Sequence, residues 1–98
     1  MDKQITIENN QSAMRFEARH EGQLAFIKYT LNDNQIVYLH TEVPEAFEGQ
    51  GIGSSLAKAA LEDARSNHLQ VVPLCPFVAA YIRKHAEYAD LVASQLHN

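Results

Sequence analysis

The sequence has a single cysteine, Cys75, in 98 residues. No internal disulfide can form, and no second thiol exists for a Cys-x-x-Cys metal or redox motif. A reducing compartment suits such a chain. Basic residues are also few, with eight Lys and Arg against twelve Asp and Glu and a formal net charge of −4; that balance argues against a protein that tracks nucleic-acid phosphates. Any anionic ligand must then be held by local geometry. Long apolar runs are missing as well. The longest uncharged, mostly apolar stretch is residues 71–82, interrupted by Pro73 and Pro76, whereas a membrane span needs about 20 residues. It reads as buried core, with no membrane partner expected. The first residues show no apolar segment followed by a small-residue cleavage site, so no secretory signal is read and a cytoplasmic location is expected.

What is present describes one domain over residues 1–98, since a hydrophobic content of 46% is ordinary for a globular chain of this size. The first half alternates as half-buried strands do. Ile5 and Ile7 form one short run, and Met14, Phe16 and Ala18 interleave with Arg15, Glu17 and Arg19. Asn9-Asn10-Gln11 and Glu21-Gly22 supply turns, a third run covers residues 24–31, and Asn32-Asp33-Asn34 turns the chain into a fourth, residues 35–43, stopped by Pro44. From Gly51 the period changes to 3.6: Ile52, Leu56, Ala60 and Ala64 share one face, with Ser55, Lys58, Glu62 and Arg65 opposite, a helix of about four turns. Asn67-His68 closes it. Residues 69–72 read as a short buried parallel strand and residues 76–85 as a second helix. The expectation is an α+β fold, ββββαβα, with one mixed sheet and helices packed on it.

Three of the four glycines fall in Gly49-Gln50-Gly51-Ile52-Gly53, between a strand end and a helix start. Glycines there permit positive φ and close backbone approach, while the first free N–H groups and the dipole of the helix favour an anion. No Gly-Lys-Ser/Thr follows, which excludes a P-loop, and the spacing GxGxG only half meets the dinucleotide fingerprint. Metal chemistry has no support either, for there is no His-Glu-x-x-His and the cysteine lacks spaced partners.

Preceded by Val43-Pro44-Glu45, this loop resembles motif A of the Gcn5-related N-acetyltransferases. The order continues through the 56–64 helix, Val72-Pro73-Leu74-Cys75-Pro76-Phe77-Val78, and the segment from Tyr81 to Tyr88. Over roughly residues 36–92 the chain is similar to a small, single-domain subgroup of that family. The resemblance implies a coenzyme A thioester as cofactor. Val43 would bond the pantetheine arm through its backbone, and Gly49, Gln50, Gly51, Ile52, Gly53 and Ser54 would wrap the phosphates. The arm would enter where the fourth and fifth strands splay, near Cys75. Lys58, Arg83 or Lys84 would meet the 3′-phosphate. The family usually has Gln or Arg where this chain has Glu48, whose carboxylate would repel a pyrophosphate, so it is expected to point away.

Cys75 reads either as a small buried hydrophobe between two prolines or as a thiol at a helix N-terminus, able to accept an acyl group or to line its pocket. His40 and Glu42, two apart on the fourth strand, are expected to share a face with Ile36 and Tyr38 and to offer a base; a surface or core histidine is the other reading of His40. Tyr81 stands near the family's tyrosine that protonates the leaving thiolate, or serves packing. His20, His68, His85 and His97 are expected to be solvated. The expected activity is acetyl-CoA-dependent N-acetylation of a small amine or protein amine, by direct attack or through Cys75. The alternative is a non-catalytic module that binds coenzyme A or acyl-coenzyme A. It is motivated by how little chain, residues 9–12, stands between the first two strands to build an acceptor site.

Overall fold

The chain enters its sheet one neighbour at a time. In the computed structural model, which describes residues 5–47 and 49–93, the strands are β1 (Thr6–Asn10), β2 (Arg15–His20), β3 (Gln23–Asn32), β4 (Gln35–Glu42) and β5 (Gln70–Pro73). They lie side by side in that order. Pairing is antiparallel as far as β4, and β5 joins β4 in parallel. Between β2 and β3, Glu21 at φ 50° and Gly22 at φ 77° form a two-residue turn whose twist matches the strands it joins. Asn9 and Asn10, expected in a turn, instead finish β1. Their amides are engaged across the sheet, Asn9 Oδ1 accepting from the Tyr29 hydroxyl at 2.7 Å and Asn10 Nδ2 donating to Glu17 at 3.1 Å, so the turn is moved to residues 11–14.

The parallel step requires a crossover. A 3-10 turn (Glu45–Phe47) leads to α1 (Ile52–Ser66), and after β5 come α2 (Pro76–Lys84) and a second 3-10 segment (Ala86–Leu91). Helix α1 ends in a Schellman motif, with the His68 N–H on the Arg65 carbonyl and the Leu69 N–H on that of Ala64. His68 takes the left-handed position at φ 57° that glycine usually fills. Pro76 stands in the first turn of α2, where its missing N–H costs nothing.

One face of the sheet presents Phe16, Ala18, Ala25, Ile27, Tyr29, Ile36, Tyr38 and Val71 to the core, and α1 covers them with Leu56, Ala57, Ala60, Leu61 and Ala64. Burying a side chain of leucine size is worth roughly 1.5–3 kcal/mol, so this face carries much of the stability. The Tyr38 hydroxyl, deep in that core, donates to the Ala60 carbonyl at 2.6 Å. Val78 and Ile82 of α2, with Tyr88 and Leu91 after it, complete the cluster. Arg65 locks the second 3-10 segment to α1 through a fork on Asp90 at 3.0 and 3.1 Å, and the Tyr88 hydroxyl donates to Glu62 at 2.6 Å.

The other sheet face is polar. Its centre is Glu17, fully buried beneath its own partners. The carboxylate accepts from Arg15, Arg19 and Asn10 at 2.6–3.1 Å, and the Arg15 guanidinium lies 5.0 Å from the Phe26 ring centroid. Burial pushes the Glu17 carboxyl up, but the hydrogen bonds from Arg15, Asn10 and Arg19 and the charge of Arg15 outweigh it and hold the group below the usual carboxylate range.

Candidate active site

The parallel ladder between β4 and β5 runs only from Gln35 opposite Gln70 to Tyr38 opposite Pro73. Beyond it β4 continues to Glu42 on the β3 side, while the chain after β5 turns away. The Leu74 N–H bonds the Val72 carbonyl, and the Cys75 N–H caps the Tyr38 carbonyl at 2.9 Å. The two strands thus part at their carboxyl ends, leaving one edge of residues 39–43 without a neighbouring strand among the described residues. Val43 lies just past the end of β4, at the mouth of this gap, its side chain partly buried against the core. Open parallel sheets bind ligands in such crevices.

The helix that follows β4 and the helix that follows β5 both begin at this end. Gly49 and Gly51 hold φ of 83° and 74°, values that side chains rarely tolerate. The loop is pinned from behind by Phe47, a buried ring, and by Gln50, which donates its side-chain amide to the Ala46 carbonyl at 3.1 Å and its backbone N–H to Phe47 at 3.2 Å. Gly51 is the N-cap of α1 and no side chain among the described residues caps the helix. The first N–H bonded back into it is that of Ser55, on the Gly51 carbonyl. The N–H groups of Ile52, Gly53 and Ser54 therefore have no helical partner, and no acidic residue stands in the first turn. That is a donor set for an anion. Ile52 contributes backbone alone, since its side chain is core. Gly53 matters for a different reason: a Cβ there would stand 2.9 Å from the tip of the Phe77 ring, so the glycine leaves room for that ring to pack against the start of α1. Glu48 lies outside the described residues, as does His97.

Between the two helices runs a groove of about 110 Å³ lined by Ser54, Phe77, Ala80, Tyr81, Lys84 and His85. Among the three cations weighed for a terminal phosphate, Lys84 lines it and Lys58 and Arg83 do not. His85 is not simply solvated: its ring stacks on Tyr81 at 3.9 Å between centroids, with Nδ1 2.9 Å from the Tyr81 carbonyl. His20, too, is half-buried, near the Phe47 ring, while His68 is exposed. Burial, then the charges of Glu87 and Glu62, raise the Tyr81 phenol. Tyr81 follows Cys75 by six residues, about 9 Å of rise and 240° of turn along α2, so it belongs to the groove and not to the thiol.

The expected alignment of His40 and Glu42 with Ile36 and Tyr38 is corrected by a β-bulge. Tyr29 faces Tyr38, yet Lys28 faces His40, so Leu39 is an extra residue and the side-chain alternation inverts after it. Thr41, opposite Ile27, joins the inner row. His40 and Glu42 move to the polar face, exposed and bonded to each other at 3.0 Å, with the His40 ring edge-on to Phe26. Cys75 sits on the inner side, 2% exposed, its Sγ 3.0 Å from Thr41 Oγ1. The thiol and the candidate base therefore address the gap from opposite faces of the sheet. Thr41 went unremarked in the sequence because the bulge hides its parity; Phe77 and Lys84 declare themselves only once two helices are placed side by side.

A family model described as GCN5-related N-acetyl-transferase matches residues 15–91. Protein NATD1 of Mus musculus is 33% identical over 84 residues, covering 83% of this chain and 76% of that protein. The Danio rerio protein of the same name is 26% identical over 84 residues, 84% of this chain and 76% of its own. The solution structure of a GCN5-like protein from Staphylococcus aureus matches with a TM-score of 0.72 and 31% identity, over 95% of this chain and 92% of that one.

Proposed function

Because the chain belongs to the GCN5-related N-acetyltransferase family, we propose that it transfers an acetyl group from acetyl-coenzyme A to an amine. The observation that carries this reading is the coincidence of two features, a parallel ladder that stops at Tyr38 and Pro73 and an uncapped glycine-rich helix start facing the same gap. Acetyl-coenzyme A, when bound, supplies an acyl group already activated as a thioester. The N–H groups of Ile52, Gly53 and Ser54, with the loop at Gly49–Gln50–Gly51, hold the pyrophosphate by direction and partial charge, so a chain of net charge −4 needs no basic patch there. Lys84, which lines the groove, would supply the cation for the terminal phosphate. The free edge of β4 up to Val43 offers peptide groups to the amide-bearing arm as a missing strand would, and orients the thioester for attack.

The amine must lose a proton whose pKa is near 10 in water. The paired His40 and Glu42 present a base on the polar side of β4, and solvent reaches both. Direct attack uses that pair. In the covalent route the Cys75 thiol would attack the thioester carbonyl and expel the coenzyme A thiolate, its proton passing by way of the Thr41 hydroxyl to that departing thiolate, and the amine would then displace the acetyl group from Cys75. That route needs the arm to reach a thiol which the closed core now covers.

Steady-state loss of the thioester across a panel of small amines and lysine peptides tests the proposal, and acceptor-dependent turnover is expected. Coenzyme A that binds tightly without any such turnover would identify a binding module instead. An adduct of about 42 Da on Cys75 with ping-pong kinetics selects the covalent route, and full turnover by Cys75→Ala rejects it.

A further inference from the structure

A second cavity, of about 260 Å³, opens at the other end of the molecule, lined by Asn9, Gln11, Met14, Tyr29, Leu31, Ile36, Asp63, Asn67 and Leu69. These residues come from β1 and the turn after it, β3, the start of β4 and the carboxyl end of α1 with the link to β5, whereas the crevice lies at the amino end of α1. A helix of this length separates the two by about 22 Å. Two of the large hydrophobic side chains the protein exposes, Met14 and Leu31 at 40% and 52%, stand in its wall. Met14 is also held at φ 56°, a conformation costly for a bulky side chain, with its N–H on the Gln11 carbonyl and its own carbonyl accepting from Tyr29 at 3.0 Å.

The charge of the cavity has one sign. Asp63 is half-buried, and its carboxylate makes no ion pair or hydrogen bond with any other described residue; only its backbone carbonyl is engaged, by the N–H and side-chain amide of Asn67. Among the described residues no Lys, Arg or His lines the space. The negative end of the α1 dipole points the same way. Beside the Asp63 carboxylate the lining offers neutral amides and the Tyr29 hydroxyl on one side and Met14, Leu31 and Leu69 on the other. One carboxylate among neutral groups carries too little charge for a hard metal ion, whereas a polar end next to an apolar wall matches an ion that is charged at one end and apolar along its body.

We propose that this cavity is a second ligand site, distinct from the crevice, for a small organic ammonium ion with an apolar body. The ammonium would sit on Asp63, with Asn9 and Tyr29 alongside, and the hydrocarbon against Met14, Leu31 and Leu69.

The test is a titration of the full chain with 2-phenylethylammonium, followed by amide chemical shifts, with 2-phenylethanol as the uncharged comparator. Saturable shifts are expected at Leu31, Asp63, Asn67 and Leu69. The alcohol should bind about tenfold more weakly or worse, and Asp63→Asn should cost the ammonium about tenfold in affinity. Leu31→Lys, a change at an exposed position, should weaken binding with the fold intact. Absence of saturable shifts at this end, shifts centred on residues 49–54 or 75–85, equal binding of the alcohol, or indifference to both substitutions overturns the proposal. No coenzyme is used, so failure here leaves the acetyl-transfer reading to its own assay.

Discussion

Gly51 joins the fold to the proposed chemistry at a single residue, and two substitutions there separate backbone from charge. At φ 74° and ψ 15° any L-residue pays about 1–2 kcal/mol for the left-handed conformation. A Cβ would meet nothing within 4 Å, so no steric cost is added. Gly51→Ala should therefore lose about 1–2 kcal/mol in urea denaturation and stay folded, since domains are stable by about 5–15 kcal/mol. Gly51→Glu carries the same backbone cost and sets a carboxylate at the N-cap of a helix that has no acidic residue in its first turn. Against one phosphate charge at about 5 Å, an effective dielectric between 20 and 80 gives roughly 1–3 kcal/mol of repulsion. That is a loss of affinity for coenzyme A of about five- to 150-fold beyond whatever Gly51→Ala loses. Calorimetric titration with coenzyme A, alongside melts of both variants, supplies the comparison. If Gly51→Glu binds as tightly as Gly51→Ala, the pyrophosphate does not approach this helix start and the reasoning fails.

Glu17→Gln should cost about 1–3 kcal/mol at neutral pH, because the cations left behind are partly exposed, Arg15 at 29% and Arg19 at 56%, and rehydrate. The folded-state pKa of Glu17 lies below its ordinary 4.5. The stabilisation is therefore present above that value and lost as pH falls through the folded pKa, so the gap between wild type and variant should close in acid; a gap constant from pH 7 to pH 3 would refute the assignment. The hydrogen bond to Glu62, then burial and the Glu62 charge, push the Tyr88 phenol up to about 12. Glu62→Gln should bring it back toward 10, read by ultraviolet pH titration. The raised value also means that the neutral phenol stabilises the fold below about pH 10, an advantage lost as pH rises through 12.

The elements were legible where side chains repeat with one period over several turns. Leu56, Ala60 and Ala64 fix α1, and Phe16 and Ala18 fix the inner face of β2. The glycine loop could be placed because its neighbours in sequence are also its neighbours in space. The candidate base was misplaced for an equally local reason: one additional residue, Leu39, reverses every side chain after it, and no pattern of residue types announces a bulge. Burial of Cys75 beside Thr41 and the fit of Gly53 to Phe77 both join segments far apart in the chain. Periodicity carries no information on such pairs. Asn9 and Asn10 mislead in the opposite sense, as turn-forming residues recruited into a strand by partners on β2 and β3.

Strand order that follows chain order also sets a sequence of events. The first three pairings of the sheet are hairpins closed by short turns, each formed from neighbouring segments. The fourth, β4 with β5, must bring together strands separated by the whole of α1, and closing that longer loop carries the larger entropic cost. The crevice exists only at this joint. A chain that has made its hairpins but not yet docked α1 and β5 is thus already largely sheet and has no place for a coenzyme, so the surface proposed to bind it is the last part of the molecule to be completed.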